Sequence, residues 1–128
     1  MRLWMLALVG CLISLPLAFS AEPPKPLSPE EAATKVNQEV TLQMEVKSAS
    51  LVKGVCFLNS QENFKDDKNF TIFIDKEALE KFKEAKIDDP SAHYKGKTVQ
   101  VKGKIILYRD RPEIKLSGPE AITVVEKK

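Results

Sequence analysis

Arg109 and Arg111 flank Asp110 directly after Tyr108, and the only other arginine of the chain is Arg2. Planar guanidinium forks beside an aromatic ring suit a ligand that carries phosphates and flat rings, since the forks take phosphate oxygens and the ring offers a stacking face. Phe57, Phe73, Asn59 and Lys53 extend that chemistry to the first half of the chain. Nothing comparable points to catalysis. The single histidine, His93, stands in a connector beside Tyr94, and the sequence supplies no local signature of the oriented partner and nucleophile that a general base needs. Asp66-Asp67 and Asp88-Asp89 lack the ligand spacing of a calcium loop and read as solvated turn residues. The expectation is therefore a binding protein, with no catalytic residue, no resident metal and no cofactor.

Net charge excludes a strong general polyelectrolyte: 20 basic residues stand against 18 acidic ones. The distribution is less even. Residues 21–94 hold 10 basic and 14 acidic side chains, whereas residues 95–128 hold 9 basic and 4 acidic. The second half either presents a positive surface to a polyanion or carries lysines that solvate and protect a pair of strands.

The elements that must position these residues follow from the pattern. Residues 1–20 read as a signal peptide: Arg2 supplies the positive start, Leu3 to Leu15 the apolar run, and Ala18-Phe19-Ser20 the small residues before a cleavage site after Ser20. That run is shorter than the ~20 residues of a spanning helix and meets Pro16, so no membrane span is expected. Leu8-Val9-Gly10-Cys11 looks like a lipobox, but apolar residues continue past Cys11, which makes a lipid-anchored form the lesser alternative. Export to the periplasm or the extracellular space is the expectation. Cys56 then remains as a lone cysteine, unable to form an internal disulfide and expected to be a buried apolar residue.

Residues 21–27, rich in proline, form a spacer, and residues 28–128 one domain. Ser28-Pro29-Glu30-Glu31 is a capping box with proline at the first helical position, which predicts a helix to about Val36. Val40, Leu42, Met44 and Val46 alternate with polar residues as a half-buried strand. Lys53-Gly54 is a turn, 55–59 a second strand, Gln61 to Asn69 a polar loop, and 70–74 a third strand. Asp75 caps a helix whose apolar face is Ala78, Leu79, Phe82 and Ala85, stopping before Pro90. Residues 88–95 read as a connector. Thr98 to Leu107 is a long strand with Val99, Val101, Ile105 and Leu107 facing the core, and Gly103 leaves a gap in that face where the strand can bend. A tight turn leads to a fifth strand at 113–116, and residues 122–125 close the domain. This is an all-β chain with helices, in the order of the OB-fold: a five-stranded Greek-key barrel with a helix between strands three and four, here preceded by a short N-terminal helix.

Gly96-Lys97-Thr98-Val99-Gln100-Val101-Lys102-Gly103-Lys104-Ile105, followed by Tyr108-Arg109-Asp110-Arg111-Pro112-Glu113-Ile114, resembles the bacterial OB-fold nucleic-acid-binding domains of the tRNA-anticodon-binding-like type. In those a GKxVxVxGxI strand leads into a YxGRPxI hairpin and a closing Pro-x-x-Ile, matched here by Pro119 to Ile122. Phe57-Leu58-Asn59 and Phe70-Thr71-Ile72 look like that family's second and third strands. The resemblance covers about residues 30–126. Asp110 departs from the family's glycine, though aspartate tolerates turn geometry.

What the resemblance implies is a module that holds single-stranded DNA or RNA across strands two and three. Phe57, Phe73 or Tyr108 would stack bases, and Lys53, Arg109 and Arg111 would contact phosphates, with Asn59 as a polar contact. Either Phe57 or its neighbours Cys56 and Leu58 face inward; alternation alone does not say which. An envelope protein or small ligand is the alternative partner, and a monomer is the expected state.

Overall fold

The computed structural model describes residues 25–125. The expected signal peptide and cleavage site, and residues 21–24 of the spacer, lie outside the described residues. The spacer's last residue is pinned: Leu27 donates its N–H to the Thr41 carbonyl at 2.8 Å and accepts from the Gln43 N–H at 2.9 Å.

Helix α1 (Pro29–Ala32) opens on the expected capping box. The Ser28 N–H donates to Glu31 Oε1 at 3.0 Å, and the Glu31 N–H donates to Ser28 Oγ at 3.1 Å. The helix ends well before Val36. Asn37 adopts a φ of 71°, and its N–H donates to the Ile105 carbonyl at 2.6 Å, so the chain is drawn onto the barrel before another turn can form.

The expected first strand is present, and a further strand that the sequence reading did not foresee follows it. β1 (Glu39–Glu45) and β2 (Ser48–Val52) are separated by Val46 and Lys47. Val46 exchanges hydrogen bonds with Lys97 and Gly96, while Lys47 donates to the Asn59 carbonyl at 3.0 Å. The chain thus turns a corner without losing its pairing, which satisfies the backbone groups of a buried bend. β2 joins β3 (Val55–Asn59) through a two-residue turn, Lys53-Gly54, in which φ is 53° and 82°. Positive φ at both positions gives the primed turn whose twist matches its strands.

β4 (Thr71–Ile74), helix α2 (Lys76–Glu84), helix α3 (Pro90–Tyr94), β5 (Thr98–Tyr108), β6 (Arg111–Leu116) and β7 (Ile122–Val125) follow. A single 3-10 turn, Pro119–Ala121, precedes β7. Asp75 caps α2 as expected, accepting from the Ala78 N–H at 2.9 Å. The connector before β5 holds α3, which the sequence reading did not foresee. Asp89 caps it, accepting from the Ser91 N–H and Oγ at 3.0 and 2.6 Å, and Tyr94 meets Phe82 edge-on.

The sheet runs β1-β5-β6-β4-β3-β2, with β7 also on β5. Because β2 continues β1 around the corner, the ends of this order meet and the sheet is a barrel. β4 and β6 pair in parallel and every other pair is antiparallel. This is the OB-fold, with α2 between its third and fourth barrel strands. Leu42, Met44, Val46, Cys56, Leu58, Ile72, Ile74, Val99, Val101, Ile105, Ile114 and Leu116 fill the interior.

Gly103 stands where β5 changes partner: residues 98–104 pair with β1, residues 105–108 with β6. The expected gap in the core face is filled. A Cβ added at Gly103 would lie 2.7 Å from Ile114 Cγ2. Leu107, expected in the core, is exposed because the β5–β6 hairpin runs past the end of the barrel. Among the described residues no helix is long and apolar enough to cross a membrane.

Gly103→Ala is expected to destabilise by about 1–3 kcal/mol in urea titrations, because a β-branched neighbour cannot swing aside. Combined with Ile114→Ala, the glycine substitution should cost much less than alone, and that non-additivity identifies the contact.

Candidate nucleic-acid interface

Strand alternation with Cys56, Leu58, Ile72 and Ile74 inside puts Phe57, Asn59, Thr71 and Phe73 on the outer face. That resolves the choice the sequence left open. Phe57 and Phe73 are directly paired across β3 and β4, half-buried, with ring centroids 5.3 Å apart. Offset contacts of this kind contribute ~0.5–1.5 kcal/mol beyond their area and hold both rings in place.

A groove of about 480 Å³ lies over this face, between the outer surface of β2–β3, the loop 61–69 and the β5–β6 hairpin. Five of the seven predicted residues line it: Phe57, Asn59, Tyr108, Arg109 and Arg111. Phe73 supports Phe57 from the side and is not in the lining. Lys53 occupies the tip of the β2–β3 turn, also outside it.

The hairpin turn is Arg109-Asp110, with φ of 51° and 65°, again a primed two-residue turn. Asp110 meets the left-handed conformation that a glycine would supply. Arg111 belongs to β6 and not to the turn. Tyr108 and Arg111 are paired, so their side chains leave the sheet on the same face. Arg109 stacks its guanidinium over Tyr108 at 5.4 Å. Among the described residues Arg109 has no hydrogen-bond acceptor or carboxylate partner.

Arg111 is differently employed. Its Nη1 donates to the carbonyls of Phe64 and Asp66, both at 3.1 Å, and its Nη2 donates to the Lys65 carbonyl at 3.0 Å. It forms no ion pair; the one ion pair among the described residues joins Lys115 to Asp75. Arg111 therefore straps the polar loop against the hairpin. The loop's other end is held by Asn59, whose Oδ1 accepts from Asn69 Nδ2 at 3.2 Å and Thr71 Oγ1 at 2.9 Å. Asn59 is thus committed to the loop's stem as well as to the lining.

Strapping the loop delivers two residues that sequence reasoning missed. Phe64, 60% exposed, and Lys65 form one wall of the groove. An aromatic inside an otherwise polar loop was the available signal. The other missed residue is Glu113 on β6, 9% exposed and in the groove lining. Nothing among the described residues donates a hydrogen bond to its carboxylate. Burial alone pushes its pKa up from the ordinary carboxylate value.

The remaining candidates for chemistry are occupied or remote. Cys56 is fully buried in the barrel, where loss of solvent pushes its thiol up to about 12 and keeps it protonated. His93 is exposed on α3, edge-on to Tyr94. Asp66 and Asp89 accept from the backbone amides of Lys68 and Ser91.

No protein-family model matches the chain, and no curated protein matches it. Solved structures do. OBody AM1L10, bound to hen egg-white lysozyme, superposes with a TM-score of 0.57 at 16% identity over 84% of this chain and all of its own. The asparaginyl-tRNA synthetase of Pyrococcus horikoshii gives 0.54 at 16% identity over 81% of this chain and 24% of its own. The aspartyl tRNA synthetase of Entamoeba histolytica gives 0.54 at 15% identity over 91% and 26%. The chain spans about a quarter of each synthetase. At these identities the likeness establishes the shared OB-fold.

Two outcomes are expected here. Arg111→Lys keeps the charge but loses the three-carbonyl fork, so hydrogen exchange across residues 61–69 should accelerate while the barrel amides stay protected. Glu113 binds its proton more tightly folded than unfolded, so stability falls as pH rises from 4.5 through the raised value. Glu113→Gln should consequently be more stable than wild type at neutral pH and equal to it in acid, as read by thermal melts across pH.

Proposed function

We propose that this protein is an exported, non-catalytic binding module that holds single-stranded nucleic acid in the groove over β2, β3 and the β5–β6 hairpin. The single observation that carries the reading is the joint placement of aromatic rings and an available cation. Phe57 and Tyr108 line the same groove as Arg109, whose guanidinium stacks on Tyr108 and has no hydrogen-bond acceptor or carboxylate partner among the described residues. Rings offer stacking surfaces that any base can use, worth ~1–3 kcal/mol per base, while Arg109 and Lys65 face the backbone charge. The synthetases that share the fold are proteins of tRNA chemistry by name, which favours the same ligand class without establishing it. Export rests on the pattern of residues 1–20. The non-catalytic character rests on a groove lining that contains one carboxylate and neither histidine nor cysteine.

One observation favours a second reading. The OBody that superposes over its whole length is bound to lysozyme, so a barrel of this kind can present a protein-binding face. An envelope protein is the corresponding partner here.

Fluorescence anisotropy with labelled single-stranded oligonucleotides decides between them. Nucleic-acid binding should weaken linearly in a plot of log affinity against log salt, with each phosphate contact contributing about −0.7 to the slope. Arg109→Ala should reduce the slope by about that amount, whereas Arg111→Ala should loosen binding through the displaced loop. Flat anisotropy at low salt with micromolar protein would overturn the first reading, and capture of a defined envelope protein that Phe57→Ala abolishes would support the second.

A further inference from the structure

We propose that Glu113 makes the groove selective for guanine, by accepting hydrogen bonds from the N1–H and the exocyclic amine of a base seated on its aromatic lining. This rests on the nucleic-acid reading above and names the base that the same groove prefers.

A carboxylate buried without a donor costs stability, because water is lost and nothing replaces it. Glu113 is in that position, nine-tenths buried on the outer face of β6 and part of the groove lining. Its strand neighbours on that face do not relieve it. Ile106 and Thr71 stand opposite it on β5 and β4, and the Thr71 hydroxyl donates to Asn59. Two residues along, Arg111 gives its fork to the loop carbonyls. A donor supplied by a ligand would satisfy the group.

The chemistry of the group narrows that donor. An ionised carboxylate only accepts. Guanine alone among the common bases offers two adjacent donors on one edge with no acceptor between them. Adenine and cytosine set a ring nitrogen acceptor beside the amine, and thymine and uracil flank their one donor with carbonyls. A cationic side chain would also donate, but Lys65, Arg109 and Arg111 surround the same groove and repel it. Those cations instead favour a phosphate beside the base. The aromatic rings take the base plane, the cations take the backbone, and Glu113 reads the edge.

The test uses labelled oligothymidines with a single central position varied among guanine, inosine, adenine, cytosine and thymine. The guanine oligonucleotide should bind about tenfold tighter than the adenine, cytosine and thymine ones. Inosine, which keeps N1–H and lacks the amine, should fall between. Glu113→Gln should bring all five within about twofold while leaving the salt slope unchanged, since the slope reads phosphate contacts. Equal affinities with a normal salt slope in the wild type would overturn the guanine proposal and leave the nucleic-acid reading standing. Absence of binding to every oligonucleotide would remove both. A guanine preference that survives in Glu113→Gln would place the selectivity elsewhere and overturn the role of Glu113. If that variant failed to fold, the inosine comparison on the wild-type protein would still decide, because loss of one donor must then cost affinity.

Discussion

The contact between Ile114 and Gly103 sets the phase of everything on the outer surface. Ile114 fits because residue 103 has no side chain, with its Cγ2 only 2.7 Å from where a Cβ would stand. That seat fixes the register of β6 on β5 and, through the parallel pairing of Ile72 with Ile114, the register of β4. Since successive strand residues face opposite ways, placing Ile114 inward places Glu113 outward. The same phase carries Phe73 outward, and Phe57 with it across β3. A slip of one residue would turn the aromatic face into the barrel and the apolar core into water. The groove is therefore the reverse side of a packing decision made in the core.

Charge in the groove is divided between a cation that builds it and one that stays available. Arg111 is spent on three carbonyls of the loop and so builds the wall that bears Phe64. Arg109, one residue beyond the strand end, remains available and is steadied by Tyr108. Glu113 is the opposite case, a group whose burial weakens the fold and which no neighbour among the described residues compensates. Natural folds tolerate such local conflicts mainly at functional sites. The likeness to an OBody and to parts of two synthetases, at about 15% identity, is a likeness of the barrel, which depends on pattern and turns.

Much of the scaffold was legible because its signals are local. The Ser28–Glu31 capping box, the Asp75 cap, the Lys53-Gly54 turn and the period-two runs each act over a few residues. What failed were mostly features set by pairing with other parts of the chain. The helix after Ser28 stops early because Asn37 is captured by Ile105, 68 positions along the chain. β2 has little apolar alternation of its own and becomes a strand through its pairing with β3. Leu107 continues an apolar alternation but lies beyond the barrel's end, where nothing covers it. Helix α3 was passed over because Pro90 reads as a stop, although proline also suits the first turn of a new helix when Asp89 caps it.

The sequence by itself determined most of the elements and their order, the turns, the buried state of Cys56 and most of the rings and cations that could meet a ligand. Those follow from backbone preferences and hydrophobic periodicity, which are written along the chain. Only the tertiary structure decided that Phe57 faces out, that Arg111 serves the loop while Arg109 stays free, and that Glu113 is enclosed without a donor. These depend on which face each strand turns to the core and on which distant groups closure of the barrel brings within hydrogen-bonding reach. Strand alternation offers two phases of nearly equal local merit, and only packing across the barrel chooses one.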